Sequence, residues 1–171
     1  MARRTIRGLT LTAAVVTAII LPGCGGPEPD ADAKKVAQWV LKAGGTLTVS
    51  GVSRRIQSPA DLPSGPFAIL TIDLNERPVQ DKDLTNLIGL KNLRYLGLYQ
   101  TDITNKGLKY VSGLQSLTEL ELSYTSITDK GLQELAKLKN LQKVYLTGTA
   151  VTDKGVKKLK EALPSVTVIR F

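Results

Sequence analysis

Apolar residues recur along this chain with a spacing that itself repeats. From Ile69 onward four aligned segments begin at Ile69, Leu93, Leu117 and Leu141, so successive starts lie 24 residues apart. Each opens on the same pattern, seen in the third copy as Leu117-Thr-Glu-Leu120-Glu-Leu122. Period-two alternation predicts a short strand with residues 120 and 122 facing inward. The spacing then widens to three in Thr128-Asp129-Lys130-Gly131-Leu132-x-x-Leu135-x-x-Leu138. That change predicts a helical or 3₁₀ segment with Thr128 or Asp129 as its N-cap. A truncated fifth copy from Val166 adds a last strand. One strand and one helical segment per period predict an α/β solenoid, with parallel strands on a concave wall, helices on a convex wall and leucines between them.

A stack of coils has open ends that need covering. Upstream of the array, Ala33-x-x-Val36-Ala37-x-Trp39-Val40 is apolar at helical spacing, Asp32 stands as an N-cap and Gly44-Gly45 supplies a stop. Thr46 to Ser50 alternates as a strand. Helix and strand together are expected to cap the first repeat, with Trp39 as a core anchor. Ser53 to Pro66 holds three prolines and reads as a surface loop joining cap to array.

The first residues carry a different signal. Arg3, Arg4 and Arg7 precede a 13-residue uncharged stretch, Leu9 to Leu21, and then Leu21-Pro22-Gly23-Cys24. This is the order of a secretory signal. As a helix the stretch would reach about 20 Å, too short for a hydrocarbon core of about 30 Å. Leu21, Gly23 and Cys24 resemble the lipobox of bacterial lipoproteins, although Pro22 departs from it. The resemblance implies cleavage after Gly23 and a diacylglycerol on the Cys24 sulfur, hence a membrane anchor without a membrane span. Gly25 rather than an Asp after the Cys favours the outer membrane under the proteobacterial sorting rule. The other reading is a plain signal peptide with Cys24 unmodified. The expected organisation is a signal peptide at 1–23, a lipidated tether at 24–31, a cap and loop at 32–68 and the repeat domain at 69–171.

Composition narrows the chemistry. Among 171 residues there is no His and one Cys, with 23 basic against 15 acidic residues. No Ser-His-Asp or Cys-His unit, His-ligated metal, thiolate cage or intrachain disulfide can be built. No cofactor, metal or catalytic residue is expected. The formal charge of +8 includes three arginines of the signal, so an exported chain would carry +5. Export also removes nucleic acid as a natural partner.

Thr101, Thr125 and Thr149 recur at the turn after each strand, where a hydroxyl can bond the backbone of an adjacent turn. The phrase L-x-x-T-x-I-T-D-x-G-L-x-x-L resembles the repeat of the leucine-rich-repeat family abundant in large bacterial genomes such as those of planctomycetes. The resemblance covers residues 69 to 171. It implies the solenoid fold and, more loosely, a binding role.

Function is then expected on the concave face, where the third, fifth, seventh and eighth residues of each unit project. Four of the chain's five tyrosines fall there: Tyr95, Tyr99, Tyr124 and Tyr145. Tyr is enriched at interfaces. With Glu119, Glu121 and Lys143 these form the candidate binding set, against the alternative of cross-strand packing on a solvated sheet. Gly97 is expected to leave a gap between Asp73 and Glu121. Glu119 and Glu121 are a carboxylate pair about 7 Å apart on a flat strand, but no pocket or sugar-stacking Trp accompanies them, so a hydrolase is disfavoured. The wall measures on the order of 500–600 Å², enough for a single short peptide, glycan or protein edge. Lys137, Lys139, Lys154, Lys157, Lys158 and Lys160 crowd the helical side, as a solvated face or an attraction for anionic envelope polymer or lipid; a passive structural lipoprotein is the alternative role. Oligomeric state is left open.

Overall fold

A computed structural model of the chain describes residues 26–170. The signal segment and Cys24 lie outside the described residues, as does Phe171. Helix α1 spans Ala33–Lys42, and β1 spans Thr46–Val49. Four units follow, with strands β2 Ile69–Asp73, β3 Tyr95–Gly97, β4 Glu119–Glu121 and β5 Lys143–Tyr145, and β6 Thr167–Ile169 closes the sheet. Between the strands lie a 3₁₀ stretch at Asp81–Leu87, then α2 Leu108–Val111, α3 Asp129–Leu135 and α4 Asp153–Ala162.

The six strands lie side by side in chain order. From β2 onward all pairs are parallel, and each residue pairs with the one 24 positions on: Thr71 with Tyr95, Tyr95 with Glu119, Glu119 with Lys143, Lys143 with Thr167. Parallel neighbours need a long crossover, which the helical segments provide. Leucine and isoleucine columns run through the stack, with Ile72, Leu96, Leu120 and Val144 in one and Leu74, Leu98, Leu122 and Leu146 in the next, all at 0% exposure.

The Gly repeated at or near the start of each helix has a steric cause. A Cβ on Gly107, Gly131 or Gly155 would stand 2.5, 2.5 or 2.1 Å from the Asp81, Asn105 or Asp129 side chain of the preceding unit. The first unit has no unit before it, and there the same position holds Asp83.

Those Asp and Asn side chains stitch neighbouring units together. Thr104 donates to Asp81 from its backbone N–H at 2.8 Å and its hydroxyl at 2.7 Å. Thr152 does the same to Asp129 at 2.8 and 2.7 Å. Asn105 accepts from the Thr128 N–H at 3.0 Å and donates to its hydroxyl at 2.9 Å. Thr128 and Thr152 are themselves the N-caps of α3 and α4, accepting from the N–H groups of Lys130 and Gly155. The Thr-Asp phrase therefore has two parts: Thr caps its own helix, and Asp holds the Thr of the next.

At the first edge β1 pairs antiparallel with β2, with Thr46 opposite Asp73 and Leu47 opposite Ile72. Val36, Ala37 and Val40 of α1 are buried, and Trp39 is half-buried against the same core. Asp32 occupies the N-cap position without a side-chain hydrogen bond. Asp30, assigned above to the tether, is buried instead. Its carboxylate accepts from the N–H of Ile69 at 2.9 Å, the N–H of Lys91 at 2.8 Å and the Asn92 amide at 3.0 Å. Ile56, within the expected surface loop, is buried and bridges Leu47. At the far edge Asp153 has no further unit beside it, and Arg170 donates to its carboxylate and to the Val151 carbonyl. Among the described residues no helix is long and apolar enough to cross a membrane.

Candidate binding face

The turn after each strand fixes what the sheet can present. Thr101, Thr125 and Thr149 donate their hydroxyls to the carbonyls of Leu98, Leu122 and Leu146 at 2.7, 2.5 and 2.7 Å. Each bond closes on the residue three positions back, within its own turn rather than onto the adjacent turn expected from sequence. Just before the threonine, or before Arg77 in the first unit, the backbone swings left-handed, at Glu76 (φ 58°), Gln100 (φ 52°), Tyr124 (φ 57°) and Gly148 (φ 68°). That swing lets the strand pairing continue past the strand itself, with N–H donors of Glu76, Gln100 and Tyr124 reaching the carbonyls of Tyr99, Ser123 and Thr147.

The strands bring the predicted residues together in two groups. In the first, Tyr145 donates its hydroxyl to Glu119 Oε1 at 2.8 Å. Lys143 pairs in register with Glu119, yet its ammonium lies 5.9 Å from the centre of the Tyr145 ring. Glu121 accepts from the Ser123 N–H at 2.7 Å. Acceptance by Glu119 raises the Tyr145 phenol above its ordinary value of 10.0, with burial and the neighbouring carboxylates adding to the effect. Tyr95 is also raised, first by burial and then by the charges of Asp73, Glu121 and Glu119, against a lowering hydrogen bond from Asn75.

The expected gap over Gly97 is absent. A Cβ there would lie 2.7 Å from the Asn75 carboxamide oxygen and 2.8 Å from the Tyr95 hydroxyl, so those two groups already fill the space. Asn75 also accepts from the Tyr99 N–H at 2.8 Å. Sequence reading counted Asn75 as merely outward-facing. Its position one turn before Gly97 was the available sign that a side chain would occupy the glycine's place.

The second group is aromatic. Tyr99 and Tyr124 meet edge to face, with ring centres 5.4 Å apart at 78°. The Tyr124 ring lies over Gly148, where a Cβ would approach its Cδ1 to 2.7 Å. Even so, Tyr124 is 56% exposed. The first group is therefore bound up in cross-strand contacts, and in the second Tyr124 presents ring surface to solvent beside a half-buried Tyr99. Among the described residues no three His, Cys, Asp or Glu side chains are placed to hold a metal ion.

The repeat period, the parallel register and the buried leucine columns agree with a comparison to known families. Residues 113–136 and 137–160 each match the model of the Leucine Rich repeat family. These segments are leucine-rich repeats. Solved structures with similarity include an internalin, InlF, of Listeria monocytogenes, at 16% identity and a TM-score of 0.43 over 60% of this chain and 34% of that one. A second internalin, C2, from the same organism aligns at 19% identity and a TM-score of 0.33 over 84% of this chain and 74% of its own. A leucine-rich-repeat protein of Leptospira interrogans aligns at 23% identity and a TM-score of 0.27, over 58% of this chain and 36% of that one. The chain thus spans about a third of the length of InlF and of the Leptospira protein. Among curated proteins no sequence match is found.

Proposed function

We propose that this leucine-rich-repeat chain is a lipid-anchored interaction module of the bacterial cell envelope that takes a protein or peptide partner on its sheet face. The observation that carries the reading is Tyr124. A bulky side chain at positive φ costs on the order of 1–3 kcal/mol, and the equivalent position in the next unit is Gly148, which pays no such penalty. Tyr124 nonetheless keeps more than half its surface open beside Tyr99. Exposed tyrosines held rigid by a neighbour are the kind of anchor that dominates binding energy at protein interfaces. Tyr95, Tyr145, Glu119, Glu121 and Lys143 form the polar flank, already preorganised by their mutual contacts.

In this reading α1 and β1 are the N-terminal cap of a solenoid whose concave wall is the sheet. Cys24 carries the acyl chains, and the outer membrane is the favoured location. Two measurements test the proposal. Intact mass of the protein from its native host reads acylation of Cys24 directly, and an unmodified Cys24 removes the anchor. Capture of a partner from solubilised envelope is expected to fail when Tyr99 and Tyr124 become Ala; undiminished capture of the same partner rejects this face.

A further inference from the structure

The two sides of the molecule differ in charge. The helical stretches 80–91, 104–115, 128–139 and 152–163 hold eleven lysines against six carboxylates, whereas the strand stretches 68–79, 92–103, 116–127 and 140–151 hold five carboxylates against three basic residues. On the helical side five of the six carboxylates are engaged: Asp81 and Asp129 bind the threonine of the next unit, Asp83 accepts from the Gln80 N–H, Glu134 pairs with Lys137 and Asp153 with Arg170. Lys82, Lys106, Lys130 and Lys154 occupy one equivalent position in the four units, and all four are exposed. The residue before each is turned toward its neighbouring unit or, at Asp153, toward Arg170, so the lysines form a row across the stack, one per coil.

We infer that this helical side docks on anionic lipid headgroups and leaves the sheet face pointing away from the bilayer. The row spans all four units, with Lys130 and Lys154 lining a groove between α3 and α4, and two observations select a bilayer as occupant. Ile88, 59% exposed at the end of the first helical stretch, offers an apolar side chain to the headgroup layer. The chain also leaves the fold at the adjoining corner, because Asp30 is fastened to Lys91 and Asn92. Cys24 lies six residues upstream of Asp30, a reach of about 20 Å when extended, so an acylated Cys24 keeps this corner near the membrane. That last observation rests on the anchor proposed above; the charge distribution does not.

The test uses the exported chain from residue 24 onward with Cys24→Ser, so that neither the signal segment nor an acyl group contributes, and vesicles of phosphatidylcholine with or without phosphatidylglycerol. Binding is expected to require phosphatidylglycerol and to weaken as salt rises. Each headgroup-facing lysine contributes about fivefold, so combined Lys106→Gln, Lys130→Gln and Lys154→Gln should reduce vesicle affinity about a hundredfold. Removing the same charge from α1 through Lys34→Gln, Lys35→Gln and Lys42→Gln should change it far less. Equal losses in the two triple variants, or binding indifferent to phosphatidylglycerol, would overturn the inference. So would soluble polyglutamate competing on equal terms per charge, since the surface would then be reading polymer. Because the readout contains no protein partner, its failure leaves the sheet-face reading untouched, and loss of partner capture leaves this one untouched.

Discussion

Two sets of residues sit at the strand-to-helix side of each unit, one recurring every 24 residues and one confined to two units, and the structure uses them in opposite ways. In the turn set, Thr101, Thr125 and Thr149 close their own turns, and Asp81, Asn105 and Asp129 tie each unit to the next. In the sheet-face set, Tyr99 and Tyr124 touch each other, and Tyr124 leaves more than half its surface open. An outward position on the unit does not by itself separate a structural side chain from one free for recognition. The difference lies in whether each polar or aromatic group already has a partner within the fold.

Mutations can sharpen that contrast. The largest effect belongs to the columns both sets rest on: Leu120→Ala should cost about 2–5 kcal/mol, read by chemical denaturation, because the fully buried side chain leaves a cavity. Next comes Asp30→Ala, which strands the donors of Ile69, Lys91 and Asn92 and should cost about 1–3 kcal/mol for the buried group left unpaired. Thr125→Val removes one turn-closing bond and should cost about 1 kcal/mol. A sheet-face substitution as damaging as these would erase the distinction. Tyr124→Ala is expected to change stability by no more than about 0.5 kcal/mol, while abolishing partner capture.

Acid separates the sets in a second way. The hydroxyl and N–H of Thr152 hold the Asp129 carboxylate below its ordinary value of 3.8. A depressed folded-state pKa contributes stability that is present above the unfolded value and lost as pH falls through the folded one. The Asp129 link should therefore weaken only below about pH 4, and Thr152→Val should flatten that part of the pH profile of unfolding. Tyr145 behaves in the opposite sense. Its raised pKa gives stability that is complete below 10.0 and lost as pH rises through the folded value, so Tyr145→Phe should reduce alkaline sensitivity.

Much of the architecture was legible in sequence because strand and helix each impose a period on apolar residues. The 24-residue register and the inward columns at Leu120 and Leu122 follow from that alone. What sequence reading missed was polar and between units. Asp129 was grouped with Thr128 as a cap, because a capping carboxylate and one that reaches into the next coil look alike in a single copy. Asp30 fell in a Pro-rich lead-in and carried no periodic sign of its contact with Lys91, 61 residues away. The space over Gly97 read as open because the occupant, Asn75, comes from another unit. The candidate face was found as a set, but its division into a self-satisfied polar flank and an exposed Tyr124 packed on half-buried Tyr99 depends on side-chain geometry.

The most direct measurement is partner capture from the native host's solubilised envelope by the unaltered chain and by Tyr99→Ala/Tyr124→Ala, with unfolding curves recorded for both. Loss of a specific captured partner at unchanged stability is the predicted result. Equal capture by both chains would contradict the assignment of the sheet face as the recognition surface.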